Sequence, residues 1–141
     1  MTDAEIERIV HHLQGKRQDM VHLLQGLALA ESPSDNPAAV AEALQMLASE
    51  LEQVGLRVRR VRGRVSAGML YARPRHRAER ASVQLLVGHC DTVWPIGTVR
   101  QMPVQVEGDS LRGPGVFDMK GGLVQMLYAL RAVRHARACR D

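Results

Sequence analysis

The chain has 141 residues and a formal net charge of +4, with 45% hydrophobic and 24% charged residues. This length allows one domain with a hydrophobic core, and the composition excludes a disordered chain. An aromatic content of 3% argues against base stacking on nucleic acid, and two cysteines do not make a disulfide framework. No apolar run approaches the roughly 20 residues of a membrane span, and no signal-peptide pattern is present, so we expect a cytoplasmic protein without a membrane partner.

Two helical regions are predicted in the first 55 residues. Thr2 and Glu5 form a capping box at the start of the first region. Its apolar residues keep the helical period past Gly15, which weakens the middle of the predicted helix. Asn36 followed by Pro37 predicts the start of the second, and Gly55 predicts its end.

The strands come next, followed by a last helix. Residues 56–61 and 69–72 predict two strands, and residues 104–112 predict a small hairpin. The apolar run at 83–87 predicts a central strand covered on both faces. A last helix is predicted from near Met119. This order indicates an α/β fold.

Nine of the 17 arginines lie between residues 57 and 80, where Glu79 is the only acid. Such a stripe is typical either of a solvated strand pair and loop or of a surface for nucleic acid or acidic lipid. The absence of an aromatic platform or DNA-binding motif favours the solvated surface, and we expect no nucleic-acid partner.

His89 and Asp91 follow the predicted strand at 83–87. In an extended chain their side chains point to the same side, at the end of the strand where α/β sheets build their sites. Histidine is a zinc ligand, and a nearby carboxylate can orient its ring. A histidine hydrogen-bonded at a strand end is nevertheless the commoner outcome of this spacing.

Asp118 stands after a glycine-rich and proline-containing loop and just before the last helix. A carboxylate at this place serves as a helix cap or as a ligand. The pair Gly121-Gly122 is a poor helix start unless the backbone must be approached closely. Lys120 precedes the glycines, so this is not a phosphate-binding loop.

Together, residues 88–93 (GHCDTV) and 115–122 (GVFDMKGG) resemble the two N-terminal signatures of the dinuclear zinc aminoacylase/carboxypeptidase family. This family includes glutamate carboxypeptidase, acetylornithine deacetylase, succinyl-diaminopimelate desuccinylase and peptidase T. The resemblance continues through residues 94–98 and 106–115, is greatest to the glutamate carboxypeptidase branch, and includes 31–34 (ESPS). It implies that residues 1–141 are the N-terminal portion of a three-layer α/β/α catalytic domain, with a mixed sheet flanked by helices.

The resemblance also implies roles for three residues. His89 binds one zinc ion, Asp91 is the catalytic-site acid that supports His89, and Asp118 bridges two zinc ions and precedes a cis peptide bond. Cobalt is a possible substitute for zinc. The implied reaction is hydrolysis of an amide bond next to a free carboxylate, in a peptide or an N-acyl amino acid: release of a C-terminal glutamate, or deacylation.

The sequence departs from the family after Asp118. The general base is a glutamate some tens of residues later in the family, with further ligands beyond it. Here the only later acid is Asp141 and the only later histidine is His135. The dimerisation domain of the often homodimeric relatives has no counterpart either. We therefore expect a truncated, inactive chain. The alternatives are a non-catalytic remnant that binds metal or a partner through a sheet edge, and a small basic nucleic-acid-binding protein.

Other candidates for chemistry are weaker. His11, His12 and His22 are typical of a helix surface. His135 and Cys139, four apart on a helix, could form a ligand pair, but at the chain end they have no partners. Cys90 is expected to pack in the interior rather than bind a ligand.

Overall fold

A computed structural model describes residues 2–76 and 82–138. The helices are α1 (Asp3–Gln14), α2 (Arg17–Leu29), α3 (Pro37–Gln53) and α4 (Gly121–Ala138). The strands are β1 (Leu56–Val61), β2 (Met69–Pro74), β3 (Gln105–Glu107) and β4 (Ser110–Arg112). A short 3-10 helix (Thr98–Arg100) and a wide turn (Val116–Lys120) complete the elements. The mixture of helices and small sheets is that of part of an α/β domain.

The helix ends follow the local sequence signals. The Thr2 backbone N–H donates to Glu5 Oε2 at 2.7 Å, which closes the predicted capping box. The side chain of Asn36 accepts from the Ala39 backbone N–H at 3.2 Å, and Gly55 has φ of +87° just after α3. The first helical region is divided in two, because α1 ends at a cap on Gly15 and α2 starts at Arg17.

The core lies where α2, α3 and α4 pack together. Leu27, Ala43 and Leu127 contribute one fully buried side chain from each of these helices. Each buried leucine stabilises the fold by about 2 kcal/mol. Cys90 joins the same cluster from outside the helices, with 5% of its surface exposed. The core therefore anchors the segment that carries His89 and Asp91.

The strands form two separate antiparallel pairs. β1 pairs with β2 and β3 pairs with β4, as the sequence predicts. Leu56 and Val58 on β1 are half-buried, whereas Arg57 and Arg59 on the other face are exposed. Arg57, Arg59 and Arg73 therefore share the solvent face of this hairpin. The other described arginines of the stripe lie on the opposite face or outside the strands, and they are exposed as well. Residues 77, 79 and 80 of the stripe lie outside the described residues.

The prediction of a buried central strand at 83–87 is wrong for the described part of the chain. Val83, Leu85 and Val87 are 65%, 77% and 77% exposed, and the run pairs with no described strand. An apolar strand is buried only when strands flank it and layers cover both faces. The nearest strand-like contact is an isolated parallel bridge between Pro33 and Thr92, just beyond the run.

Among the described residues, no helix combines the length and the hydropathy that a membrane span requires.

Candidate metal centre

The connection between α2 and α3 holds the segment that carries the first candidate ligand. Thr92 N–H donates to the Ser32 carbonyl at 2.8 Å, and Ser34 N–H donates to the Thr92 carbonyl at 3.0 Å. The hydroxyl of Ser32, which is fully buried, donates to the Cys90 carbonyl at 2.7 Å. Buried polar groups are satisfied in such bonds, so they fix the backbone of residues 90–92 relative to α2.

His89 and Asp91 contact each other at the end of this segment. His89 Nδ1 lies 3.1 Å from the backbone oxygen of Asp91 and 3.4 Å from its Oδ1. Asp91 Oδ2 in turn accepts a hydrogen bond of 2.6 Å from the Ser34 hydroxyl. With Nδ1 facing these oxygens, Nε2 is the ring nitrogen that points away, and this is the usual arrangement of a histidine ligand and its supporting groups.

Asp118 reaches the same place from the wide turn before α4. Its Oδ1 lies 3.1 Å from His89 Nε2, although the two residues are 29 apart in sequence. The side chains are 48% and 79% exposed for His89 and Asp118, so solvent reaches the pair. The peptide bond between Asp118 and Met119 is cis, as the family resemblance implies.

Close packing explains the glycine after this turn. A Cβ on Gly121 would lie 2.8 Å from the carbonyl oxygen of Val116, closer than real Cβ atoms approach other groups. The turn also rests against the His89 segment, because the His89 N–H donates to the sulfur of Met119 at 3.4 Å. The predicted close backbone approach at the glycine pair is thus present at Gly121.

Lys120 ends the turn and points into the interior. Its side chain is 1% exposed, and its ammonium donates to the carbonyls of Leu27 at 2.8 Å and Ala30 at 3.0 Å. Burial lowers the pKa of Lys120, because desolvation disfavours the charged form.

The surroundings shift the pKa values of three neighbouring groups. Partial burial works to lower the pKa of His89, but the hydrogen bonds to the backbone of Asp91 and to Asp118 outweigh it, so the net shift is upward. The Ser34 hydroxyl stabilises the carboxylate of Asp91 and lowers its pKa. Burial raises the pKa of the Cys90 thiol, which agrees with a packing role.

The donor pair suits a zinc ion. Two ligands of a tetrahedral zinc ion with bonds of about 2.0–2.1 Å lie about 3.3 Å apart. His89 Nε2 and Asp118 Oδ1 are separated by 3.1 Å, and imidazole and carboxylate are both zinc ligands. Within residues 2–76 and 82–138, no group of three His, Cys, Asp or Glu side chains could hold a metal ion. His89 and Asp118 therefore supply two donors, fewer than the four of a complete zinc site.

The weaker candidates lie elsewhere. The rings of His12 and His135 stack with centroids 4.3 Å apart, across the contact between α1 and α4. His12 is therefore partly covered rather than fully on the surface, and burial, with His135 and Lys16 nearby, lowers its pKa. His11 and His22 are exposed. The suggested partner of His135, Cys139, lies outside the described residues.

Sequence reasoning gave no contact to Ser34, which bonds to Asp91, or to Lys120, which is buried at the end of the turn that carries Asp118. Both stand in segments that resemble the family's signatures, 31–34 and 115–122, but the resemblance assigned a contact to neither residue. Their contacts depend on where the end of α2 lies in the fold. A lone lysine within an apolar and glycine-rich stretch is the one feature that could have indicated a buried cation.

Two comparisons with known proteins cover the region that contains this site. Residues 85–139 match the sequence model of the peptidase family M20/M25/M40. The chain is 30% identical over 118 residues to carboxypeptidase G2 of Pseudomonas sp. (strain RS-16). The alignment covers 82% of this chain and 28% of that protein, so the chain spans little more than a quarter of this relative's length. The matched region contains His89, Asp91 and Asp118.

Proposed function

Because residues 85–139 belong to the peptidase family M20/M25/M40, we propose that the chain is part of a zinc-dependent hydrolase. The bond cleaved is an amide next to a free carboxylate, in a cytoplasmic peptide or N-acyl amino acid. The observation that carries the proposal is the contact of 3.1 Å between His89 Nε2 and Asp118 Oδ1. It joins the two segments that resemble the family's signatures.

Three residues have distinct tasks in this proposal. His89 would hold a zinc ion through Nε2, and Asp118 would hold zinc through its exposed carboxylate. Asp91 holds Nδ1 of His89, so that Nε2 keeps its lone pair for the metal. Two bound zinc ions would supply an activated water and polarise the amide carbonyl. The general base and the remaining ligands have no counterpart in residues 1–141, so we propose that this stretch alone does not turn over substrate.

Metal binding by the 141-residue chain tests the ligand assignment. We expect zinc to bind in calorimetric titration of the metal-stripped chain, and cobalt to give a ligand-field absorption band. Both His89→Ala and Asp118→Asn should weaken binding about 10-fold or more, because the first removes the imidazole donor and the second removes the negative charge of the carboxylate. His22→Ala, which removes an exposed histidine elsewhere, is the matched control. Equal affinity in all four proteins would contradict the assignment.

The mass and the activity of the protein that source cells make from this gene test the proposed reaction. An antibody against this chain would recover the product from source cells for intact mass measurement. A product well above 15.6 kDa should release C-terminal glutamate from an N-acyl glutamate, and chelation should abolish this release. A product of 15.6 kDa without activity would favour the non-catalytic remnant. A larger product without metal-dependent hydrolysis would refute the proposal.

A further inference from the structure

The turn that carries Asp118 ends in a buried cation, Lys120. The ammonium of Lys120 is bonded to the carbonyls of Leu27 and Ala30, at the C-terminal end of α2. Carbonyls of the last helical turn have no partner within the helix, and this end carries the negative side of the helix dipole. The lysine therefore satisfies two such carbonyls with a charge of the favourable sign.

The same end of α2 leads into the connection that holds the other ligand segment. Ser32 and Ser34, directly beyond Ala30, bond to residues 90–92 through backbone and side chains. Lys120 thus fixes the turn of Asp118 to the element that also fixes His89. The segments that carry His89 and Asp118 are therefore both bonded to the C-terminal end of α2 and the residues that follow it.

The packing of the turn leaves little freedom between Lys120 and Asp118. The Lys120 N–H donates to the Gly115 carbonyl at 3.0 Å and closes the turn. A Cβ on Gly115 would lie 2.5 Å from Thr92 Cγ2 and 3.4 Å from Lys120 Cδ, so the turn is in direct contact with both. A displacement of the lysine would therefore move the carboxylate two residues before it.

We propose that Lys120 is a positioning residue, which holds the carboxylate of Asp118 against His89 by anchoring their shared turn to the end of α2. It touches neither metal nor substrate. The contact between His89 and Asp118 exists without metal, whereas its use as a metal site rests on the proposed function. The competing explanation is that Lys120 only stabilises the fold.

Two variants of the 141-residue chain separate these explanations. Lys120→Met keeps an unbranched side chain as far as the position of Cε, but it removes the ammonium and leaves the carbonyls of Leu27 and Ala30 without this donor. Leu127→Ala creates a cavity in the core on α4, seven residues after Lys120, and serves as a destabilised control in which the bonds of Lys120 are kept. Both are compared at a temperature where circular dichroism shows them folded.

Two readouts report position rather than stability. The first is the imidazole ¹⁵N signal of His89 in the metal-free chain, with Asp118→Asn as the reference for a lost contact. The second is zinc affinity. We expect Lys120→Met to shift the His89 signal toward that of Asp118→Asn and to weaken zinc binding about 10-fold. Leu127→Ala should change neither value.

Opposite results would overturn the proposal. A folded Lys120→Met with the wild-type His89 signal and zinc affinity would mean that Lys120 is structural only. If Lys120→Met does not fold, Lys120→Arg is the second variant. It keeps the charge and the donors, but its larger head group displaces the turn. A wild-type His89 signal in Lys120→Arg would also contradict the proposal. A wild-type chain that binds no zinc, with a His89 signal still dependent on Lys120, would refute the proposed function and leave the positioning role intact.

Discussion

The bond from Ser34 to Asp91 is the residue-scale contact on which the orientation of His89 depends. The hydroxyl of Ser34 lowers the pKa of Asp91, so Asp91 binds its proton less readily in the folded state than in the unfolded state. A lowered pKa contributes stability above the unfolded-state value, which is lost as the pH falls through the folded-state value. The side chain of Asp91 is 39% exposed, so solvent screening limits this contribution to less than about 1 kcal/mol.

We predict that Ser34→Ala raises the pKa of Asp91 toward its ordinary value. The free energy of unfolding should fall slightly at about pH 7, and the difference should shrink as Asp91 is protonated below about pH 4. Urea unfolding across this range and NMR titration of the Asp91 carboxyl measure the two effects. Ser49→Ala, on the exposed face of α3, should show no such pH dependence. An unchanged Asp91 pKa in Ser34→Ala would contradict the prediction.

At the scale of elements, the hairpin of β1 and β2 carries an unfavourable pair of charges. Arg57 lies directly opposite Arg73 in the register, and both are exposed. Like charges in such cross-strand positions destabilise a sheet. The repulsion follows from the arginine-rich solvent face that the sequence predicts for this hairpin.

We predict that Arg73→Glu stabilises the chain by about 0.5 kcal/mol, because it turns this repulsion into an attraction. The gain should decrease at high salt, which screens exposed charges. Arg75→Glu makes the same change of net charge outside the strands and is the control. Thermal unfolding at low and high salt measures both. An equal gain in both variants would attribute the effect to net charge instead.

Elements set by local chemistry are the ones that the sequence predicts well. The caps at Thr2 and Asn36, the end of α3 at Gly55 and both hairpins depend on residues a few positions apart. The run at 83–87 is different, because burial of a strand depends on partners distant in sequence. The apolar residues of this run therefore predicted a buried strand, although the described residues provide no strands that pair with it.

At the scale of the whole molecule, the candidate site is a long-range contact. The residue types and the family resemblance predicted His89, Asp91 and Asp118 as a group, and the fold brings them together. Neither spacing nor periodicity could show that the end of α2 and the residues after it bond to both segments that carry them. The contacts of Ser34 and Lys120 thus became visible only from tertiary structure.

The exposed run at 83–87 has a consequence for the molecule in solution. Val83, Leu85 and Val87 expose most of their apolar surface without a strand partner among the described residues. Such a run of β-forming side chains with unpaired backbone groups promotes pairing between chains. We therefore expect the 141-residue chain to self-associate as its concentration rises.

We predict that Leu85→Lys reduces this self-association, because a charge in the run makes pairing costly and desolvation unfavourable. Sedimentation equilibrium over a range of protein concentrations measures the weight-average mass. Val65→Lys introduces the same charge at a side chain that is 93% exposed in the turn after β1, and it should leave the association unchanged. If both variants dissociate equally, net charge rather than the run governs association. A wild-type chain that stays monomeric at all concentrations would show that the run does not pair between molecules.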